Sequence, residues 1–125
     1  MMSKLQHTRY QELPAYITKD QSEIRELMHP LHHRVENQSL AEAIVPIGKK
    51  TLLHRHTRTE ELYFISKGQG EMTLGDEVFI VQEGDTVCIR PGTPHCIKNV
   101  GATALHILCC CSPAYSHEDT ELLEE

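Results

Sequence analysis

The sequence predicts an all-β domain of antiparallel strands, closed as a sandwich or a barrel. Two observations lead there. After Pro30, β-compatible segments recur every 8 to 12 residues, and a turn signal separates each from the next. A length of 125 residues adds that a single core, not two, is to be expected.

The elements follow in order. Residues 1–20 read as an irregular or wrapping arm. In residues 22–28, Ile24, Leu27 and Met28 would line one face of a helix, while Ile24 and Met28 also fit a strand, and both readings stay open. Residues 39–45 alternate small and larger side chains and end at Pro46. Residues 51–56 are short and β-compatible, and residues 61–66 carry Leu62, Tyr63, Phe64 and Ile65. Residues 71–74 and 77–81 flank Gly75-Asp76, a two-residue hairpin turn in which glycine supplies the positive φ. Glu83-Gly84-Asp85 makes a second turn, and residues 86–89 form the next strand. The segment Arg90-Pro91-Gly92-Thr93-Pro94 is too rich in proline and glycine for regular structure. Residues 95–98 and 104–111 complete the set, split by Asn99-Val100-Gly101. The last of these has almost no polar face, as expected of a strand buried on both sides.

Charge narrows the partners. Eighteen acids against twelve Lys and Arg give a net charge of -6, and no basic run occurs, which argues against nucleic acid. Five of the acids fall within Glu118–Glu125, so residues 113–125 read as a solvated acidic tail. The mean hydropathy is -0.38, and no stretch approaches the ~20 apolar residues of a spanning helix, so no membrane association is expected. Met1–His7 lacks the apolar run of a secretory signal, and the five cysteines are odd in number with no Cys-x-x-Cys pair. Free thiols in a cytoplasmic protein are expected, acting as small buried hydrophobes. Cys109, Cys110 and Cys111 alternate faces on one strand and cannot all meet one metal.

The chemistry concentrates in the histidines. His54-Arg55-His56 places two imidazoles on one face of a strand. Glu61 follows after a gap long enough for the chain to turn and pair back, and His95 follows a Pro-Gly-Thr-Pro corner that fixes its approach. Three imidazoles and a carboxylate form a nitrogen and oxygen donor set suited to one divalent first-row metal, with Mn, Fe, Zn and Ni all compatible. Tyr63 shares strand parity with Glu61. If Glu61 faces inward, Tyr63 does too, with Leu62 and Phe64 on the other side, and its hydroxyl is then a candidate substrate contact.

The spacing Gly48-x5-His54-x-His56-x4-Glu61-x6-Gly68 is followed by Gly84-x5-Arg90-Pro91-Gly92-x2-His95-x3-Asn99. In both motifs the chain resembles the cupin family, departing only at Arg90, where a proline is usual. The motif core spans residues 48–99, and the likeness extends over about 20–112 within a single domain of residues 1–125. The resemblance implies a double-stranded β-helix, or jelly roll, of six to eight strands, usually dimeric, with His54, His56, Glu61 and His95 as metal ligands. Glu60 is the rival of Glu61, and the gap to Gly68 favours Glu61. Residues 74–79, the Gly92–His95 corner and residues 115–119 are similar to the cupin domain of type II phosphomannose isomerases, though a Gly-rich phosphate loop is missing. The resemblance thus implies a mannose-6-phosphate isomerase-like enzyme acting on a sugar or another small carbonyl substrate. An Fe(II)-dependent dioxygenase and a non-catalytic small-ligand-binding cupin are the alternatives, and no catalytic base is identified.

Overall fold

The computed structural model of the chain describes residues 5–125; the first four residues of the expected arm lie outside the described residues. A 3-10 turn at Tyr10–Glu12 precedes eleven strands: β1 Ala15–Ile17, β2 Glu23–Met28, β3 Ser39–Val45, β4 His54–His56, β5 Glu60–Lys67, β6 Gln69–Leu74, β7 Glu77–Gln82, β8 Thr86–Ile89, β9 His95–Asn99, β10 Leu105–Ser112 and β11 Thr120–Leu122. They form two sheets, a six-stranded one in the order β1-β2-β3-β10-β5-β8 and a five-stranded one in the order β11-β4-β9-β6-β7. Every pairing between strands is antiparallel. This is the double-stranded β-helix, and its eleven strands exceed the six to eight implied by the family likeness.

The core lies between the sheets because each central strand alternates. Glu61, Tyr63 and Ile65 point inward from β5, while Leu62 and Phe64 point out. Ala41, Ala43 and Val45 do the same from β3, and Leu105, Ile107, Cys109 and Cys111 from β10. Met72, Ile97 and Val81 close the core from the other sheet. Strand β10 pairs with β3 on one side and β5 on the other, so its backbone is satisfied on both edges. Its outer face, His106, Leu108 and Cys110, is half-buried rather than buried.

Three further expectations change, and one open reading is resolved. The arm is not irregular throughout: Ala15-Tyr16-Ile17 pairs with β2 as an edge strand. Residues 22–28 resolve to a strand, with a register shift between Glu26 and Met28. The acidic tail is not simply solvated, because β11 pairs with β4, and Asp119 accepts the backbone N–H groups of Arg58 and Thr59. Finally, the cysteines are not all buried: Cys109 and Cys111 are, Cys96 and Cys110 are half-buried, and Cys88 is exposed.

The turns behave as their residues dictate. Leu74 pairs with Glu77 around Gly75, whose φ is +59°. Gly68 both turns with a φ of +93° and runs against β10, where a Cβ would lie 2.9 Å from the Ala104 carbonyl oxygen.

Candidate metal centre

The site is assembled from both sheets. β4 and β9 are hydrogen-bonded neighbours, and their register sets His54 directly against His95, with ring centroids 4.2 Å apart. Strand alternation brings His56 to the same face, 5.2 Å from His54 and 5.3 Å from His95. One ligand atom from each of the three rings lies within 4.8 Å of the other two. Glu61 enters from β5 in the facing sheet. Its Oε1 is 3.2 Å from His56 Nε2 and 3.5 Å from His95 Nε2. Glu60 is exposed, so the structure places Glu61, not its rival, against the histidines.

The far nitrogen of each ring is held. His54 Nδ1 lies 2.6 Å from the Leu52 carbonyl, and His95 Nδ1 lies 2.9 Å from the Thr93 carbonyl. His56 Nδ1 lies 3.0 Å from Thr120 Oγ1, whose own proton goes to the Ser116 carbonyl. A carbonyl oxygen can only accept, and so can a hydroxyl that has already spent its proton. All three Nδ1 atoms therefore donate, which leaves each neutral ring with its Nε2 lone pair turned to the centre. The Glu61 carboxylate is fixed in turn by Cys111, whose thiol reaches Oε2 at 3.3 Å.

Two buried atoms in this cluster, Glu61 Oε1 and His95 Nε2, have no hydrogen-bond partner among the described residues. His95 is wholly inaccessible and Glu61 is 5% exposed. Orphaned acceptors at that depth cost on the order of 1–3 kcal/mol each, and a cation between them removes the penalty. The donor set thus fits a divalent metal. The electrostatics agree. His54 is lowered by burial first and by the neighbouring His95 second, which favours the neutral form a metal requires.

A cavity of about 40 Å³ adjoins the centre. Asp20, Glu26 and Glu61 line it, with Tyr63 and Tyr115, and no lysine or arginine among the described residues does. Tyr63 is buried with its ring edge-on to His95, as strand parity requires, and burial holds its hydroxyl well above the usual phenol range. Glu26 and Tyr115 also line an outer cavity of about 600 Å³ that holds Arg58 and His117. Glu26 Oε1 accepts the Tyr16 hydroxyl at 2.8 Å, and its Oε2 is buried without a partner.

Sequence reasoning missed three contributors. Asp20 reaches His54, Thr120 orients His56, and Tyr115 packs its ring 5.8 Å from His56. Asp20-Gln21-Ser22 carried a readable signal, an Asp accepting bonds from the residue two positions on. Thr120 and Tyr115 carried none, since only tertiary pairing brings them in.

An all-β double-stranded barrel holding three buried imidazoles and a buried carboxylate between its sheets defines a barrel with an internal cluster of side chains that could hold a metal ion. The chain belongs to the cupin family: residues 41–111 match the Cupin domain. It is 57% identical over 121 residues to the uncharacterised protein MJ1618 of Methanocaldococcus jannaschii, covering 97% of each chain. A mannose-1-phosphate guanylyltransferase of Salmonella montevideo is 31% identical over 84 residues, which are 67% of this chain and 18% of that protein. Among solved structures, the Streptomyces nucleoside dehydratase Pac13 shares the fold with a TM-score of 0.76 at 16% identity, covering 98% of this chain and 92% of that one.

Proposed function

We propose that this cupin is a metal-dependent, isomerase-like enzyme acting on a small, uncharged, sugar-like carbonyl compound. The observation that carries the proposal is a cluster of three histidines, with Glu61 against two of them, beside a cavity walled, among the described residues, by three carboxylates and no lysine or arginine. His54, His56, Glu61 and His95 would hold the metal, which when bound supplies Lewis-acid polarisation of a carbonyl oxygen. The remaining groups are the chain's own. Glu26 Oε2 is free to accept a ligand hydroxyl, and the Tyr63 hydroxyl is set to donate to a ligand oxygen. Burial excludes water around Tyr63, while Glu26 is half-buried with its Oε2 atom buried.

The acidic lining speaks against a phosphorylated substrate at the metal, so the mannose-6-phosphate part of the likeness is not carried into the proposal. Pac13, a nucleoside dehydratase of the same fold, has been solved with uridine. No helix among the described residues is long and apolar enough to cross a membrane, and the five cysteines are free thiols, which fits the proposed cytoplasmic location. We also propose a homodimer, formed through the outer face of the six-stranded sheet. There Leu40, Cys110 and Leu62 sit side by side in register, with Phe64 next to them. Leu40, Leu62 and Phe64 are 37%, 44% and 41% exposed.

The test is to incubate metal-loaded protein with neutral aldoses and ketoses and with their phosphates, following products by NMR and dissolved oxygen by electrode. Interconversion of a neutral sugar without oxygen uptake is expected. Oxygen consumption with an iron-loaded sample would instead support the dioxygenase reading, and turnover of phosphorylated sugars alone would contradict the proposal.

A further inference from the structure

We propose that Asp20 is a further protein ligand of the metal, supplied by the N-terminal segment to the side of the cluster that Glu61 does not reach. The inference rests on the metal-site reading above and extends it to a residue outside both cupin motifs.

Asp20 lies in the turn between β1 and β2. Thr18 N–H donates to the Ser22 carbonyl and Gln21 N–H to the Thr18 carbonyl, each at 3.0 Å. The turn is fastened to the site from outside. Leu52 N–H donates to the Asp20 carbonyl at 2.8 Å, two residues before His54, and the Lys19 ammonium donates to the Thr120 carbonyl at 2.7 Å. The turn is therefore tied to the segment leading into β4 through the Asp20 carbonyl, and to the strand that orients His56 through the Lys19 side chain.

The side chain is oriented as firmly. Oδ1 accepts the Ser22 backbone N–H at 3.0 Å and the Ser22 hydroxyl at 2.6 Å. That leaves Oδ2, which lies 3.5 Å from His54 Nε2. Because His54 Nδ1 donates to the Leu52 carbonyl, Nε2 of the neutral ring presents a lone pair to Oδ2. Two acceptors facing each other repel, and a cation between them turns the contact attractive.

The Asp20–His54 distance has the size that shared coordination needs, and the carboxylate would have to close further on His56 and His95, since the group of ligand atoms lying within 4.8 Å of one another is the three histidine nitrogens. Two ligands each about 2.1 Å from one ion lie about 3.0–3.4 Å apart at angles of about 90–110°. The Asp20–His54 separation of 3.5 Å equals the Glu61–His95 separation and is close to the 3.2 Å of Glu61–His56. Each carboxylate therefore repeats the same relationship with a different member of the histidine cluster: Glu61 with His56 and His95, Asp20 with His54.

The consequence is chemical. Three neutral imidazoles and two carboxylates offset a divalent charge, so the loaded centre is neutral, and an octahedral ion keeps one position for a ligand. A neutral oxygen donor then competes on better terms than an anion, in keeping with the acidic cavity.

Cobalt(II) is the probe. Chelator-stripped wild type and Asp20→Asn are titrated with Co(II), reading affinity by chelator competition and the visible absorption of the bound ion. The expected result is affinity weakened about tenfold or more in the variant, with cobalt bands altered in position or intensity, and metal-free melting close to wild type. The same affinity and the same spectrum in both proteins would overturn the inference and leave Asp20 as a turn residue. A wild type that takes up no cobalt would overturn the metal site itself, a distinguishable failure. A crystal structure of cobalt-loaded wild type serves if the variant does not fold. An Asp20 oxygen within bonding distance supports the inference, and one held beyond contact with the ion contradicts it.

Discussion

Thr120 Oγ1 lies 3.0 Å from His56 Nδ1 and gives its own proton to the Ser116 carbonyl at 2.8 Å. The hydroxyl can therefore only accept from the imidazole, and one tautomer of His56 is selected, the one that turns the Nε2 lone pair inward. A residue of the C-terminal segment thus sets the protonation pattern of a candidate ligand in β4.

Thr120→Val removes this acceptor while keeping the shape. Metal affinity, measured by competition with a chelator, is expected to fall about 10- to 100-fold, the usual cost of losing the partner that orients a ligating histidine. Thr120→Ser restores the acceptor and is expected to keep wild-type affinity. Equal affinity in the valine variant would show that the backbone alone orients His56.

Tyr63→Phe keeps the buried ring and removes only the hydroxyl. Metal content and melting temperature are expected to stay at wild-type values, while ligand binding or turnover falls. Unchanged turnover would reduce Tyr63 to packing against His95.

Asp119 gives a pH signature. Partial burial pushes its carboxyl up, but the backbone N–H groups of Thr59 and Arg58 outweigh this and hold it below the ordinary value. With the folded value below the unfolded one, its stabilisation is complete above the unfolded pKa of about 3.9 and is lost as pH falls through the folded value. Asp119→Ala is expected to cost about 1 kcal/mol at neutral pH, since the group is partly exposed. In urea melts at successive pH values, the gap between variant and wild type should close as pH falls below the ordinary aspartate range. A gap that persists there would mean the loss comes from something other than the charge.

Much of this was legible in the sequence, for physical reasons. Alternation over residues 61–66 placed Glu61 and Tyr63 inside and Leu62 and Phe64 outside, because strand side chains alternate and one face of β5 is buried. The spacing of His54, His56 and His95 marked the cluster because strand pairing converts it directly into proximity. What was illegible depends on long-range pairing. The tail reads as solvated because its acids are frequent, yet Asp119, Glu121 and Glu124 engage Thr59, Arg55 and Lys50 and fasten β11 to β4. Strand β11 has three residues, too few for an alternation to register. Asp20 belongs to an arm with little hydrophobic pattern, and its proximity to His54 arises through long-range bonds, from Leu52 N–H to the Asp20 carbonyl and from Lys19 to the Thr120 carbonyl.

Leu62→Asp tests the dimer. It charges the outer sheet face without touching the inner one, so folding and metal content are expected to persist while sedimentation shifts from dimer to monomer. A wild type that sediments as a 14.2 kDa monomer at micromolar concentration would contradict the assignment.

The central claim is that His54, His56, Glu61 and His95 hold one divalent metal. The most direct test is elemental analysis of protein purified without added metal, comparing wild type with the His54→Ala, His95→Ala double variant. The account expects one metal per chain in the wild type and, with two of the imidazoles gone, almost none in the variant. A double variant that folds and still carries one metal per chain would contradict it.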